Sequence, residues 1–290
     1  MYAITGITGK VGGALAHKLL IENQPVRAVV RNTDKARVWA DRGCEIALAS
    51  MNDASALAAA FEGAKGIFIL PPSEFDPAPG FPEARAVIDA VMTALKWACP
   101  GRVVCLSTIG AQANQINLLS QRTLMEQALS TLGIPVTFLR PAWFMENFAW
   151  DVAVARDEGV IHSFLQPLDK PVPMTATADV GSVAAALLQK DSTSCRVVEL
   201  EAVHRISPNE AAATFAKLLG RSVQARAVPR ETWESLFRSQ GMRNPEPRLR
   251  MLDGFNEGWI EFEGDATGIV RSKTTLETVL RELVDQAVSA

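Results

Sequence analysis

Seven short apolar runs, separated by segments of helical period, fill the first two hundred residues and constrain the fold more than any other feature. The runs are Tyr2–Thr5, Val26–Val30, Glu45–Leu48, Gly66–Leu70, Arg102–Leu106, Pro135–Leu139 and Arg196–Leu200. Their length and continuity suit strands buried on both faces. Between them, Ala84, Val87, Ile88, Val91 and Leu95 recur at spacings of three and four, as do Val180, Val183, Ala184, Leu187 and Leu188. Each set lines one apolar face of a helix. Strand–helix alternation of this kind predicts an α/β fold, a parallel sheet covered by helices on both sides.

After about Leu200 the pattern changes. Ser207 is placed to cap a helix with Pro208 in its first turn, buried through Phe215, Leu218 and Leu219 and stopped by Gly220. A strand over Arg221–Val228, helices near Arg230–Arg238 and Pro247–Asn256, and a final helix through Leu276, Val279, Leu280, Leu283 and Val284 are expected. Five prolines between Pro71 and Pro82 mark a loop after the fourth run, at the strand end where open α/β sheets bind ligands.

Composition excludes several classes. With 48% hydrophobic and 21% charged residues in 290, the chain is neither disordered nor collagen-like. A net charge of −3 without a dense Lys/Arg run argues against a nucleic-acid partner. No apolar stretch reaches the ~18 residues of a membrane span. The opening MYAITGITGK lacks a signal pattern, so a cytoplasmic location and no membrane partner are expected. Cys44, Cys99, Cys105 and Cys195 form no Cys-x-x-Cys pair and are expected to be buried free thiols. His17, His162 and His204 are too scattered to suggest a metal site.

The first strand runs into Thr5-Gly6-Ile7-Thr8-Gly9-Lys10-Val11-Gly12-Gly13, and an amphipathic helix through Val11, Ala14, Leu15 and Leu19 follows. Glycines at this spacing let the chain turn tightly, let backbone approach a pyrophosphate and let the helix pack on the sheet, while the helix N-terminus offers N–H groups to phosphate. Strand, loop and helix together make this a nucleotide-binding signal; a plain Gly-rich turn is the bland alternative. Nineteen residues beyond Gly12 stands Arg31, where an Asp or Glu would hold a free ribose 2′-hydroxyl. An Arg suits a 2′-phosphate, so NADP(H) is expected over NAD(H), with Lys10 and Lys35 adding charge. The alternative is an exposed Arg engaged by Asp34.

These residues give the chain a resemblance. With Gly6-x-x-Gly9-x-x-Gly12 go Val30-Arg31-Asn32, Leu106-Ser107-Thr108-Ile109-Gly110, Leu139-Arg140-Pro141-Ala142-Trp143-Phe144-Met145-Glu146-Asn147 and Val172-Pro173-Met174-Thr175-Ala176-Thr177-Ala178-Asp179-Val180. Over nearly its whole length the chain resembles the NmrA-like branch of the atypical short-chain dehydrogenases/reductases, which includes quinone and dye reductases and redox-sensing regulators. The resemblance implies a Rossmann-type, doubly wound parallel sheet of six or seven strands with a smaller α+β C-terminal domain closing over the nicotinamide. On this reading residues 1–150, with 176–200 returning to them, bind NAD(P), and residues 151–175 and 201–290 bind substrate. It places Pro141, Ala142, Trp143, Phe144 and Asn147 on the nicotinamide and substrate side. Leu70, Pro71 and Pro72 are taken as cofactor residues at the end of the fourth strand.

Two departures stand out. The Tyr-x-x-x-Lys pair of many relatives is absent, because Tyr2 is the only tyrosine. The lone Lys that family members often keep before the Pro135–Leu139 strand is matched, by this count, to the uncharged Gln121. Where relatives show Gly-Asp after the third strand, this chain has Ala49-Ser50-Met51-Asn52, so Ser50, Met51 and Asn52 are expected to border the adenine weakly.

What chemistry remains is hydride transfer to an acceptor that needs alignment more than a protein acid. Ser107 and Gln121 are the candidate catalytic residues; Ser107 either bonds nicotinamide or substrate, or merely satisfies backbone at a strand end. Trp143, Phe144, Met145, Phe148 and Trp150 either wall a flat apolar pocket or pack between helices. His162 is a candidate proton donor in the same pocket, against the ordinary reading of a surface histidine. The expected function is an NADPH-dependent oxidoreductase for a small aromatic or quinone-like acceptor. The alternative is a non-catalytic NADP(H)-binding redox sensor acting through a partner protein. A small-molecule substrate and, at most, a second copy in a homodimer are the expected partners.

Overall fold

The computed structural model describes residues 1–265 and 267–289. In chain order the elements are β1 (Tyr2–Thr5), α1 (Lys10–Ile21), β2 (Val26–Val30), α2 (Arg37–Ala40), β3 (Glu45–Leu48), α3 (Ala54–Phe61), β4 (Gly66–Ile69) and α4 (Pro82–Ala98). They continue with β5 (Val103–Leu106), α5 (Ser120–Leu129), β6 (Val136–Pro141), β7 (Trp143–Phe144), a 3₁₀ turn at Met145–Trp150, α6 (Val152–Glu158), β8 (Val160–Ser163), β9 (Met174–Thr175) and α7 (Thr177–Gln189). The chain ends through β10 (Arg196–Ala202), α8 (Pro208–Leu219), β11 (Gln224–Ala227), a turn at Arg230–Thr232, α9 (Trp233–Ser239), α10 (Glu246–Glu257), β12 (Val270–Ser272) and α11 (Leu276–Ser289).

Eight strands form one sheet in the order β12-β10-β6-β5-β4-β1-β2-β3. The order reverses between β1 and β4, which is the switch point of a doubly wound sheet. Both neighbours of β1 run parallel to it, with Tyr2 opposite Val26 on one side and Gly66 on the other. The sheet has one strand more than the resemblance implied. β12 pairs with β10 through Leu200–Val270, but Val-Arg-Ser is too short and polar a run to announce a strand. The strands β7, β8 and β9, only two to four residues long, also escaped sequence reading.

Alternate strand residues feed opposite faces. Ala3, Val29, Ile67, Ile69, Val103, Cys105, Val136 and Phe138 build one core with Leu57, Phe61, Val91, Leu95, Met125 and Leu129 of α3, α4 and α5. On α7, a side chain at Gly181 would lie 2.6 Å from Ala14 Cβ and 2.8 Å from Val11 O, so its absence is what lets α7 pack on α1. Ser207 and Glu210 form a reciprocal capping box on α8, and Gly220 ends it in the left-handed conformation, as the sequence predicts. Cys44 and Cys105 are buried, whereas Cys99 and Cys195 are exposed at positions flanking strand starts, which corrects half of the expectation for the thiols.

Two compact units emerge: Met1–Ala111 with Leu119–Arg140 and Thr177–Val198, and Gln112–Leu118 with Pro141–Ala176 and Glu199–Ala290. The first therefore ends at Arg140 rather than at 150. Backbone bonding sets the boundary: Ala142 N–H donates to Leu200 O and Trp143 N–H to Pro173 O, both within the second unit.

Candidate cofactor and active site

The glycine loop is built by three different constraints. Gly6 has φ +65°, a conformation that L side chains rarely adopt, and Leu70 lies where its Cβ would stand. Its carbonyl accepts from Gly9 N–H at 3.0 Å, closing the turn. A Cβ on Gly12 would come within 2.3 Å of that same Gly6 oxygen and 2.9 Å of Ile7 Cα. Gly9 is different. Its φ is −93°, its Cβ would meet only Gly6 O at 3.4 Å, and it is exposed. Nothing inside the protein requires glycine there, so the open side of the loop is shaped for something outside the chain.

Gly9 caps α1 without a side-chain bond, and the first turn carries no acidic residue. The orphan N–H groups and the positive end of the helix therefore face outward beside exposed Thr8 and Lys10. A pyrophosphate fits this cradle. Ile7 and Val11 are 0% and 5% exposed, so these two predicted cofactor residues are core residues that can offer only backbone.

At the end of β2, Arg31 and Lys35 are exposed. Arg31 forms no ion pair among the described residues, and the proposed competition from Asp34 is not seen; Asn32 Oδ1 instead accepts from Lys35 N–H at 3.2 Å. A 2′-phosphate would find Arg31 unengaged. After β3, Ser50 Oγ donates to Asn52 Oδ1 at 2.7 Å, whereas Met51 packs against the core over α3. Only Ser50 and Asn52 of that trio stay exposed.

The end of β4 is fastened by Thr5, whose Oγ1 donates to Phe68 O at 3.0 Å and accepts from Leu70 N–H at 2.7 Å. The proline loop beyond it is held from α5. Gln121 is 4% exposed, and its Nε2 donates to Glu74 O at 2.9 Å. The residue expected at a ribose thus serves as an anchor for the loop. Its neighbour Arg122, which sequence counting passed over, carries the cation of this helix. Its guanidinium donates to Pro71 O at 2.9 Å, Pro72 O at 3.2 Å and Ser73 Oγ at 2.7 Å. Burial draws Arg122 down to about 10 and pushes the neighbouring Cys105 thiol up to about 12.

Ser107 resolves in a way neither sequence alternative foresaw. Its Oγ donates to Glu126 Oε1, and Glu126 also takes a two-pronged bond from Arg140, at 2.9 and 2.6 Å. All three residues are buried, at 5%, 9% and 4% exposure. The hydroxyl proton is committed to the carboxylate, so toward any ligand Ser107 offers only lone pairs. Glu126 was missed because one Glu on a mixed helix looks like a solvated charge. Tyr2 is 2% exposed, at the end of β1 remote from the glycine loop.

In the second unit, Pro141 and Ala142 are buried while Trp143 and Phe144 are half-buried on β7, which pairs with β9. Trp143 stands edge-on to Phe255 of α10, centroids 5.1 Å apart, and Phe148 edge-on to Phe215 at 6.3 Å. The predicted aromatic cluster divides: Met145 is core, Phe148 packs, and Trp150 is 89% exposed. Asn147 is exposed. His162 is also exposed, on β8 opposite Arg226 of β11, in a different sheet from Trp143. Among the described residues no His, Cys, Asp and Glu group could hold a metal, and no helix is long and apolar enough to cross a membrane.

The NmrA-like family model matches residues 2–258. The chain belongs to the NmrA-like family. Among characterised family-type relatives, it is 26% identical over 245 residues to quinone oxidoreductase 2 of Escherichia coli, covering 83% of this chain and 82% of that one. It is 27% identical over 259 residues to an NAD(P)H azoreductase of Xenophilus azovorans, covering 89% and 85%. The E. coli quinone oxidoreductase 2 structure with NADPH superposes with a TM-score of 0.80 at 22% identity, covering 99% of this chain and 100% of that one.

Proposed function

We propose that this NmrA-like protein is an NADPH-dependent oxidoreductase that passes hydride to a small aromatic or quinone-like acceptor. The observation that carries the reading is the cradle around Gly9: an exposed glycine with no internal need to be one, beside an uncapped helix N-terminus and the unengaged Arg31. Quinone oxidoreductase 2 and the azoreductase, both matched over most of their length, are reductases of that kind.

In this reading the α1 N-terminus and the backbone of residues 6–12 hold the pyrophosphate, Arg31 and Lys35 hold the 2′-phosphate, and Ser50 and Asn52 border the adenine. When bound, the nicotinamide supplies the hydride. Leu70, Pro71 and Pro72, fixed by Thr5 and Arg122, would be the first unit's residues toward it, and Pro141 and Ala142 are the further candidates. Ser107 accepts a hydrogen bond from a carboxamide or ribose donor and cannot give up a proton without disrupting Glu126. Trp143 and Phe144 offer the aromatic surface for the acceptor. With the single tyrosine buried in β1 and the Ser107 hydroxyl bonded to Glu126, neither serves as the acid, which suits an acceptor that takes hydride before protonation.

The withdrawal of both hydroxyls favours a second reading, a sensor that binds NADP⁺ and NADPH unequally without turnover. Titration with NADPH, NADP⁺, NADH and NAD⁺, followed by an acceptor screen, separates the two. Micromolar NADPH binding that Arg31→Ala weakens about 10- to 100-fold while NADH binding stays unchanged supports the 2′-phosphate assignment. Failure to bind any of the four nucleotides overturns both readings.

A further inference from the structure

The loop after β4 holds an aromatic side chain that packing does not use. Among the described residues the first unit has eight aromatic side chains, and six of them are buried. The other two, Phe75 and Trp97, are 62% and 66% exposed. Trp97 lies in the last turn of α4, which runs back toward the strand starts. Phe75 lies beyond the C-terminal end of β4, at the switch point of the sheet, where open α/β sheets bind ligands.

A phenyl ring on a slack loop would fold back onto the protein, but this loop is held along its length. Gln121 donates to Glu74 O at 2.9 Å and accepts from Glu74 N–H at 3.4 Å, while Arg122 holds Pro71 O, Pro72 O and Ser73 Oγ. Glu74 Oε1 accepts from Asp76 N–H at 3.1 Å, so the backbone is pinned on both sides of Phe75. Pro77 is buried, and at the far end Arg85 Nε donates to Gly80 O at 2.8 Å. The ring is therefore presented to water by a fixed backbone. On meeting a ligand it has little freedom left to lose.

Helix α5 gives the ring its place. Glu126 receives the Ser107 bond, whereas Gln121 and Arg122, four and five residues earlier, hold the loop. The two attachments are about 6–8 Å apart along the helix axis. As α5 connects the parallel strands β5 and β6, it runs against them, and its earlier residues lie further out beyond the strand ends. The loop thus stands on the outer side of Ser107. At its other end Leu70 lies against Gly6 of the glycine loop. It spans from the pyrophosphate cradle to Ser107, with Leu70, Pro71 and Pro72 toward the nicotinamide, and Phe75 follows directly after the clamp. We infer that Phe75 is a specificity-determining residue whose ring takes the face of the acceptor, and that it selects a flat, fused-ring aromatic of naphthoquinone size over a single ring. A free-standing phenyl has an open face and no rim, so its gain grows with the ring area laid on it. The inference rests on the reductase reading for its acceptor, but the ring preference is read by binding alone.

The test compares 2,3-dimethyl-1,4-naphthoquinone with duroquinone, its single-ring counterpart. Neither has an unsubstituted quinone carbon for the exposed Cys99 and Cys195 to attack. Affinities are measured by equilibrium dialysis with NADP⁺ present, on the wild type, Phe75→Ala and Phe75→Trp. The wild type should bind the naphthoquinone more tightly. That preference should fall about 2- to 10-fold in Phe75→Ala and be kept in Phe75→Trp. Because the ring is exposed, Phe75→Ala should melt at the wild-type temperature and bind NADPH as the wild type does. A preference unchanged in Phe75→Ala overturns the proposal, and so does a wild type that binds neither quinone or binds the two alike. Equal weakening of both quinones together with a lower melting temperature, the mark of a packing role, overturns it as well. Oxidation of NADPH by the wild type with the naphthoquinone is scored separately. A Phe75-dependent preference without turnover supports the contact and removes only the reductase reading. Turnover with a Phe75-independent preference removes the contact and leaves that reading standing.

Discussion

Replacing Gly9 and Gly12 by alanine, one at a time, separates what the loop needs for itself from what it needs for its ligand. In Gly12→Ala the new methyl would stand 2.3 Å from Gly6 O, 2.6 Å from Gly6 C and 2.9 Å from Ile7 Cα. All three are backbone atoms, and an ordinary contact needs about 1 Å more than the shortest of them. No side-chain rotation relieves this, so α1 must move from β1, at a cost of roughly 1–3 kcal/mol. For a chain of this size that is a fall in melting temperature of about 2–10 °C. In Gly9→Ala the methyl meets only Gly6 O at 3.4 Å and points to solvent. The weaker N-cap and the stiffer unfolded chain nearly offset each other, leaving stability within about 0.5 kcal/mol of the wild type. Yet that methyl occupies the surface on which a pyrophosphate would rest. Displacing one charge-assisted backbone bond costs about 1.5–3 kcal/mol, or roughly 10- to 150-fold in affinity. Calorimetric titration with NADPH and a thermal melt of each variant read the two effects independently. Gly9→Ala binding NADPH as the wild type does, at unchanged stability, would refute the argument that this glycine makes room for phosphate.

Two further outcomes follow from the buried charges. Glu126→Ala removes the buried carboxylate that Arg140 and Ser107 share, and breaking a buried pair in this way should cost about 3–5 kcal/mol in urea unfolding; Glu126→Gln should cost clearly less, and a loss below about 1 kcal/mol for the alanine would contradict the buried pair. Burial raises Asp151 from its ordinary 3.8 to about 6, so the folded state binds its proton more tightly than the unfolded one. Its favourable contribution is complete below about pH 4 and is lost as pH rises through about 6, so Asp151→Asn should gain up to roughly 2–3 kcal/mol over the wild type at pH 7 and nothing at pH 4. A difference between the two proteins that does not change with pH would reject that account.

Much of the first unit was legible in the residues. Its buried parallel strands are continuous apolar runs, and both their number up to β6 and their starts within a residue or so follow from that pattern. The glycine loop was legible because its requirements are local: a positive φ at Gly6 and a missing Cβ at Gly12 are set by neighbours a few residues away. The caps of α8 at Ser207 and Gly220 are local too. The second unit was harder to read, since strands of two to four residues such as β7, β9 and β12 owe their existence to partners far along the chain rather than to their own composition.

What the sequence determined by itself is thus the doubly wound sheet, the nucleotide loop, the arginine after β2 and the lack of any tyrosine but Tyr2. All of these depend on residue type and short-range spacing. Tertiary structure alone decided which polar groups are spoken for. Gln121 and Arg122 are adjacent on one helix, yet both are consumed by a loop some fifty residues earlier. Ser107 donates its hydroxyl hydrogen bond to Glu126 nineteen residues on, and Arg140 arrives from the next strand to hold that carboxylate. Hydrogen-bond donors and charges have no periodic signature in a chain. Their partners are fixed only when folding brings distant segments together, and that choice separates the residues free to meet a ligand from those already engaged.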